Sequence, residues 1–127
     1  MNPTPLAATI VVFGISESVD RYSYKAYRRL LESGYTNLFG VNPSDPKLPG
    51  ITTVKNIGQV SGPIDTITMY VHATIIDEIY PEIVRAKPRR IILNPGTEHE
   101  GLKQAGRAAG IDVTEACTLV LLGGQRF

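Results

Sequence analysis

Gly14, Ser16, Ser18, Arg21 and Ser23 fall within ten residues of one another, and these residue types share one chemistry, the holding of a phosphate. Glycine lets a backbone approach a ligand closely, because it has no side chain and tolerates positive φ. Serine hydroxyls donate hydrogen bonds, and an arginine forms a charge-assisted fork with phosphate oxygens. The stretch reads as a buried strand, Ala8 to Phe13, then a Gly/Ser turn, then a helix whose first turn begins near Ser23. A helix N-terminus adds unpaired N–H groups and a partial positive charge, which favour an anion. The plainer reading of the same residues is a tight turn at Gly14 and an N-cap at Ser23.

Other chemistries find less support. The two histidines, His72 and His99, and the single cysteine, Cys117, are scattered and form no metal-ligand spacing. No Ser/His/Asp or Cys/His pattern singles itself out. His72 sits at a strand end, where it either meets a ribose or base or is a solvated loop residue. His99, in the first turn of a predicted helix, is expected at the surface. Glu98 and Glu100 complement that helix's dipole. Cys117 is either an inert small hydrophobe or a thiol open to exchange.

The elements that must position these residues alternate. Tyr24 to Ser33 is an amphipathic helix, with Tyr27, Leu30 and Leu31 on one face and Lys25, Arg28, Arg29 and Glu32 on the other. Gly34 stops it, and Tyr35 to Val41 is a second strand closed by Asn42-Pro43. Ser44 to Gly62 is broken by Pro46, Pro49, Gly50 and Gly58, and holds at most a short strand at Thr52 to Val54 and one helical turn near Asn56 to Val60. Asp65 to Val71 is a third main strand, and His72-Ala73-Thr74 turns into a helix over Ile75 to Ala86. Pro81 predicts either a kink there or a regular helix beginning at the proline.

Arg90 to Leu93 is a fourth strand, ending in Asn94-Pro95-Gly96. Thr97 and Glu100 have capping-box spacing, with Leu102, Ala105 and Ala109 as the buried stripe of the next helix and Gly110 as its stop. Ile111 to Thr114 is the fifth strand. The apolar tail from Cys117 to Leu122 packs back as a short helix or extended cover, or its Leu119 to Leu122 portion, with Phe127, seals a homodimer. The expected fold is α/β: one Rossmann-like three-layer domain over residues 1–127, with a five-stranded, mainly parallel sheet and helices on both faces. Such sheets bind ligands at the carboxyl ends of their strands. Those ends carry Gly14-Ile15-Ser16, Asn42-Pro43, Val71-His72-Ala73, Asn94-Pro95-Gly96 and Glu115-Ala116-Cys117.

Composition sets outer bounds. The 127 residues suffice for one core, and 43% hydrophobic with 20% charged content is ordinary for a globular chain. A net charge of +1 provides no global field for nucleic acid or anionic membrane, so anion recognition must be local. The N-terminus lacks the pattern of a signal peptide, and no stretch approaches a membrane span. One cysteine excludes an internal disulfide framework and suits a reducing cytoplasm.

A dinucleotide fingerprint would carry glycine at positions 16 and 19 and an acidic residue after the second strand. Here these are Ser16, Val19 and Asn42, which disfavours plain NAD. No Gly-Lys-Ser/Thr occurs, so a Walker loop is absent as well. The motifs Gly14-x-Ser16, Arg21-Tyr22-Ser23-Tyr24-Lys25-Ala26, Asn94-Pro95-Gly96-Thr97-Glu98 and Glu115-Ala116-Cys117-Thr118-Leu119-Val120-Leu121 together resemble the small stand-alone CoA-binding proteins. Their Rossmann-like domain is related to the CoA-binding part of the succinyl-CoA synthetase α subunit.

That resemblance covers nearly the whole chain and implies coenzyme A, or an acyl-CoA, as the ligand. Carried over by position, Gly14, Ser16, Arg21 and Ser23 hold phosphates, with Ile15, Tyr22 and Tyr24 beside them on the same loop and first turn. Asn42, Pro43, Val71 and His72, with Ala73 next in the chain, line the nucleotide pocket. Asn94, Pro95 and Gly96 flank the pantetheine path, and Cys117 faces the pocket. The ligase subunit's second domain, with its phosphorylated histidine, has no counterpart in this sequence, so the resemblance supplies a ligand and no reaction. Two other readings stand beside a non-catalytic CoA binder: an NADP-dependent or CoA-thiol-exchange enzyme using Cys117, and an interaction module that has lost its ligand.

Overall fold

A computed structural model describes residues 4–127. Its strands are β1 (Thr9–Phe13), β2 (Asn37–Val41), β3 (Thr52–Val54), β4 (Thr66–Met69), β5 (Arg90–Leu93) and β6 (Asp112–Glu115). Its helices are α1 (Tyr22–Glu32), α2 (Ala73–Arg85), α3 (Glu100–Ala108) and α4 (Thr118–Gly123). All strand pairs are parallel, in the order β3-β2-β1-β4-β5-β6. The sheet thus has six strands where five are expected. The added strand is the short Thr52–Val54 segment, which pairs with β2 at the edge through Phe39↔Thr52 and Val41↔Val54.

Period-two alternation divides each central strand between two apolar cores. Val11 and Phe13 join Ile67, Met69, Ile91 and Leu93 under Ile76 and Ile83 of α2 and Leu102 of α3. Ile10, Val12 and Ile92 face the other way, toward Tyr27 and Leu30 of α1 and Leu122 of α4. Because β1 lies between β2 and β4, successive crossovers leave it in opposite directions. The carboxyl ends of β1 and β4 therefore form the switch point, where an open α/β sheet leaves a crevice.

Several local expectations change. Helix α1 begins at Tyr22, with Arg21 rather than Ser23 as its N-cap residue. Helix α2 begins at Ala73 and contains Pro81, so its regular part does not start at the proline. Helix α3 is capped by His99, whose Nδ1 accepts from the Leu102 N–H at 2.8 Å, and not by Thr97. Instead of lying free at the surface, the His99 side chain is only 9% exposed and sits 2.6 Å from Asp77 Oδ1. On α3 the buried stripe is Leu102 and Gly106, while Ala109 is exposed.

At the opposite end of the sheet, the tail closes on its own chain. Leu122 and Phe127 are buried, which removes them from any apolar face offered to a second copy. The Phe127 ring lies 4.6 Å from the Arg90 guanidinium, which donates through Nε to Thr66 Oγ1 and through Nη2 to Thr4 Oγ1. Burial pushes the Arg90 pKa down, and the Arg89 charge beside it adds to that. Among the described residues no helix is long and apolar enough to cross a membrane.

Candidate functional site

Gly14 follows β1 with φ +93° and donates its N–H to the Val41 carbonyl at 2.8 Å. A Cβ at this position would meet Val71 Cγ1 at 2.7 Å and the Tyr70 carbonyl group at 3.2 Å. The residue must therefore be glycine on two grounds, conformation and space. From it the chain passes through Ser16, whose Oγ accepts from the Ser18 N–H at 3.0 Å, and reaches α1 at Tyr22. Among the described residues no side chain caps α1. The helices α2 and α3, by contrast, are capped by the Nδ1 atoms of His72 and His99.

The loops after β1, β2, β4 and β5 enclose a cleft of about 520 Å³ at the switch point. Gly14, Ser16, Arg21, Tyr22 and Ser23 form one wall, and Asn42, Val71, His72, Pro95 and Gly96 also line it. Three further lining residues, Asp20, Tyr70 and Thr97, lie outside the sequence-derived set. Tyr70 directly follows β4, so its place at a strand end was a usable signal. Thr97 is hidden by its capping-box spacing, since its hydroxyl in fact donates to the Asn94 carbonyl at 2.8 Å. For Asp20 only its position next to Arg21 offers a hint.

Asn42 acts as a brace between loops. Its Nδ2 donates to the Ile15 carbonyl at 2.7 Å, and its Oδ1 accepts from the Ser44 N–H and hydroxyl, both at 2.9 Å. Ile15 is fully buried in the core, where Gly40 makes room for it, and does not reach the cleft. Tyr24 packs edge-on against Tyr27 at 5.4 Å and borders a separate surface groove with Val19 and Lys25. Pro43 is exposed, and Ala73 is the half-buried first residue of α2; neither lines the cleft.

A side pocket of about 240 Å³ shares Tyr22, Tyr70 and Pro95 with the cleft and ends on Asn94, Cys117 and Leu119. The structure thus brings Cys117, half-buried, to the same end of the sheet as Gly14. Asn94, 2% exposed, holds this pocket together. Its Nδ2 donates to Thr68 Oγ1 at 2.7 Å and to the Met69 carbonyl at 2.8 Å, and its Oδ1 accepts from the Thr118 N–H at 2.9 Å. Thr68 and Thr118 share a further hydroxyl contact of 2.8 Å. Burial pushes the Tyr70 phenol up to about 12, against the opposing effect of the Thr68 and Thr118 hydroxyls. Among the described residues no group of His, Cys, Asp or Glu side chains is arranged to hold a metal ion.

Comparison with known proteins gives the family and the fold of this chain. The family model described as CoA binding domain matches residues 8–123. The Bacillus subtilis (strain 168) protein YneT is 24% identical over 108 residues, covering 82% of this chain and 79% of its own. The structure of cell-free ID.343 from Thermus thermophilus superposes with a TM-score of 0.85 at 26% identity, over 95% of this chain and 91% of that one. An acetyl-coenzyme A synthetase from Ca. Korarchaeum cryptofilum shares the fold, with a TM-score of 0.71 at 18% identity, over 84% of this chain and 25% of its own. With a family model spanning nearly all of its length, the chain belongs to the CoA binding domain family.

Proposed function

We propose that this protein binds coenzyme A or an acyl-CoA in the switch-point cleft, with the diphosphate on the Gly14 loop and the α1 N-terminus, and catalyses no reaction of its own. The observation that carries this reading is the pairing of Gly14 and Arg21 with a helix N-terminus that no side chain caps. The first-turn N–H groups of a helix need partners, and here a phosphate oxygen is the partner that the surroundings suit. His72, on the opposite wall, borders the nucleotide portion. The side pocket continues from the cleft toward Cys117 and is suited to the pantetheine end. An open cleft of about 520 Å³ also argues against an interaction module whose site is filled by its own side chains.

Native mass spectrometry of the protein purified from cells tests this, with and without thiol reductant. A bound mass equal to CoA or an acyl-CoA that survives reductant is the expected result. Release only on reduction would favour a Cys117 mixed disulfide instead. A bare protein that takes up NADPH or ATP, and no added CoA, would overturn the proposal.

A further inference from the structure

The side pocket differs from the cleft in a way that bears on what sits at the far end of the ligand. It is lined by Tyr22, Tyr70, Asn94, Pro95, Cys117 and Leu119, with no lysine, arginine or histidine among them. Its amide side chain is already committed. The Asn94 amide spends its donors on Thr68 Oγ1 and the Met69 carbonyl, and its oxygen on the Thr118 N–H. That N–H is the first of α4, so the group most able to attract an anion at this helix end is taken. Arg21 belongs to the wide cleft, and Lys25, Arg28 and Arg29 line a separate groove beyond Leu119, with the Lys25 Nζ over the Tyr22 ring, 5.1 Å from its centre.

We infer that the side pocket selects an uncharged thiol end, either free CoA or a short aliphatic acyl thioester, and rejects acyl groups that end in a carboxylate. This rests on the CoA reading above and adds the class of acyl group to it. A methyl or propyl chain entering the pocket exchanges water for tyrosine, proline and leucine surface, which is favourable. A carboxylate there gives up its hydration and finds no cation among the lining side chains, only the neutral tyrosine hydroxyls and the Cys117 thiol, which is costly. The contrast follows from the lining residues and does not depend on the order in which the ligand's parts are bound.

Titration calorimetry at pH 7 with CoA, acetyl-CoA, butyryl-CoA and succinyl-CoA separates these cases. Acetyl-CoA and butyryl-CoA should bind as tightly as CoA or tighter, and succinyl-CoA at least about tenfold more weakly than butyryl-CoA. A Leu119→Lys variant places an ammonium at the rim and should narrow the gap between succinyl-CoA and butyryl-CoA about fivefold, each affinity being compared with that of CoA for the same variant. Equal binding of succinyl-CoA and butyryl-CoA to the native protein overturns the inference and leaves the CoA reading standing. Failure of all four to bind overturns the CoA reading, and the inference with it.

Discussion

The Gly14 Cα faces the Val71 side chain so closely that a Cβ built on it lies 2.7 Å from Val71 Cγ1. This contact joins the loop after β1 to the residue that leads into His72, and so fixes the separation of two cleft walls. Positive φ at the same residue adds conformational strain for any other side chain. Gly14→Ala should therefore destabilise the protein by about 2 kcal/mol or more, measured by urea unfolding. Val71→Ala removes one side of the clash, so its cost should be smaller in the Gly14→Ala background than alone. Strict additivity of the two substitutions would show that the close approach is not the cause.

Asn94 braces the side pocket through its own hydrogen bonds. Its side chain ties β4, β5 and the start of α4 together, and its carbonyl accepts from Thr97. Asn94→Ala leaves the Thr118 N–H without its side-chain acceptor and should cost about 2 to 3 kcal/mol. Asn94→Asp keeps that acceptor but turns an oxygen toward the Met69 carbonyl. It should be as damaging at neutral pH and recover in part in acid, where the protonated carboxyl donates again. Unfolding curves for both variants at two pH values check this, and a neutral effect of Asn94→Ala would contradict it.

Asp65 provides a pH dependence of known sign. Burial works to raise its pKa, but hydrogen bonds from Arg89 and Thr66 outweigh burial and hold the carboxyl below its ordinary value. Arg89 donates through both Nε and Nη2, at 3.1 and 3.0 Å. A carboxyl with a depressed folded pKa stabilises the fold above its unfolded value and loses that contribution as pH falls through the folded one. The Asp65 contribution should be complete above about pH 5 and decline below about pH 4. Because Arg89 is 55% exposed, Asp65→Asn should cost only about 1 kcal/mol at pH 7. That difference should shrink progressively as the pH falls below about 4, by chemical denaturation of both proteins across the range; a constant difference would contradict the assignment.

The parts of the fold legible in the sequence are those where side-chain pattern alone decides the outcome. Ile10 and Val12 against Val11 and Phe13 already read as a strand buried on both faces, and Gly14 as the turn beyond it. Strand β3 was less legible because a three-residue strand cannot establish a period, and its place depends on backbone pairing with β2. The α3 cap went astray for a different reason. Thr97 and Glu100 satisfy the spacing of a capping box, but Glu98 turns back to the Gly96 N–H and His99 takes the capping position. Histidine is an uncommon cap, and only its contact with Asp77 on α2 makes the orientation intelligible. In the site, loop glycines, serines and the arginine were readable, and Tyr70 could have been from its place just after β4, whereas Leu119 becomes visible only when α4 is brought beside that strand end.

The most direct test of an anion site at the Gly14 loop is a calorimetric titration of CoA into the native protein and into Arg21→Ala. Arg21 is exposed at the cleft wall and caps no helix with its side chain, so its removal should leave the fold intact. Saturable binding at micromolar CoA, weakened about tenfold or more in the variant, is the expected result. Identical affinities in the two proteins, or no heat at millimolar CoA in either, would contradict it.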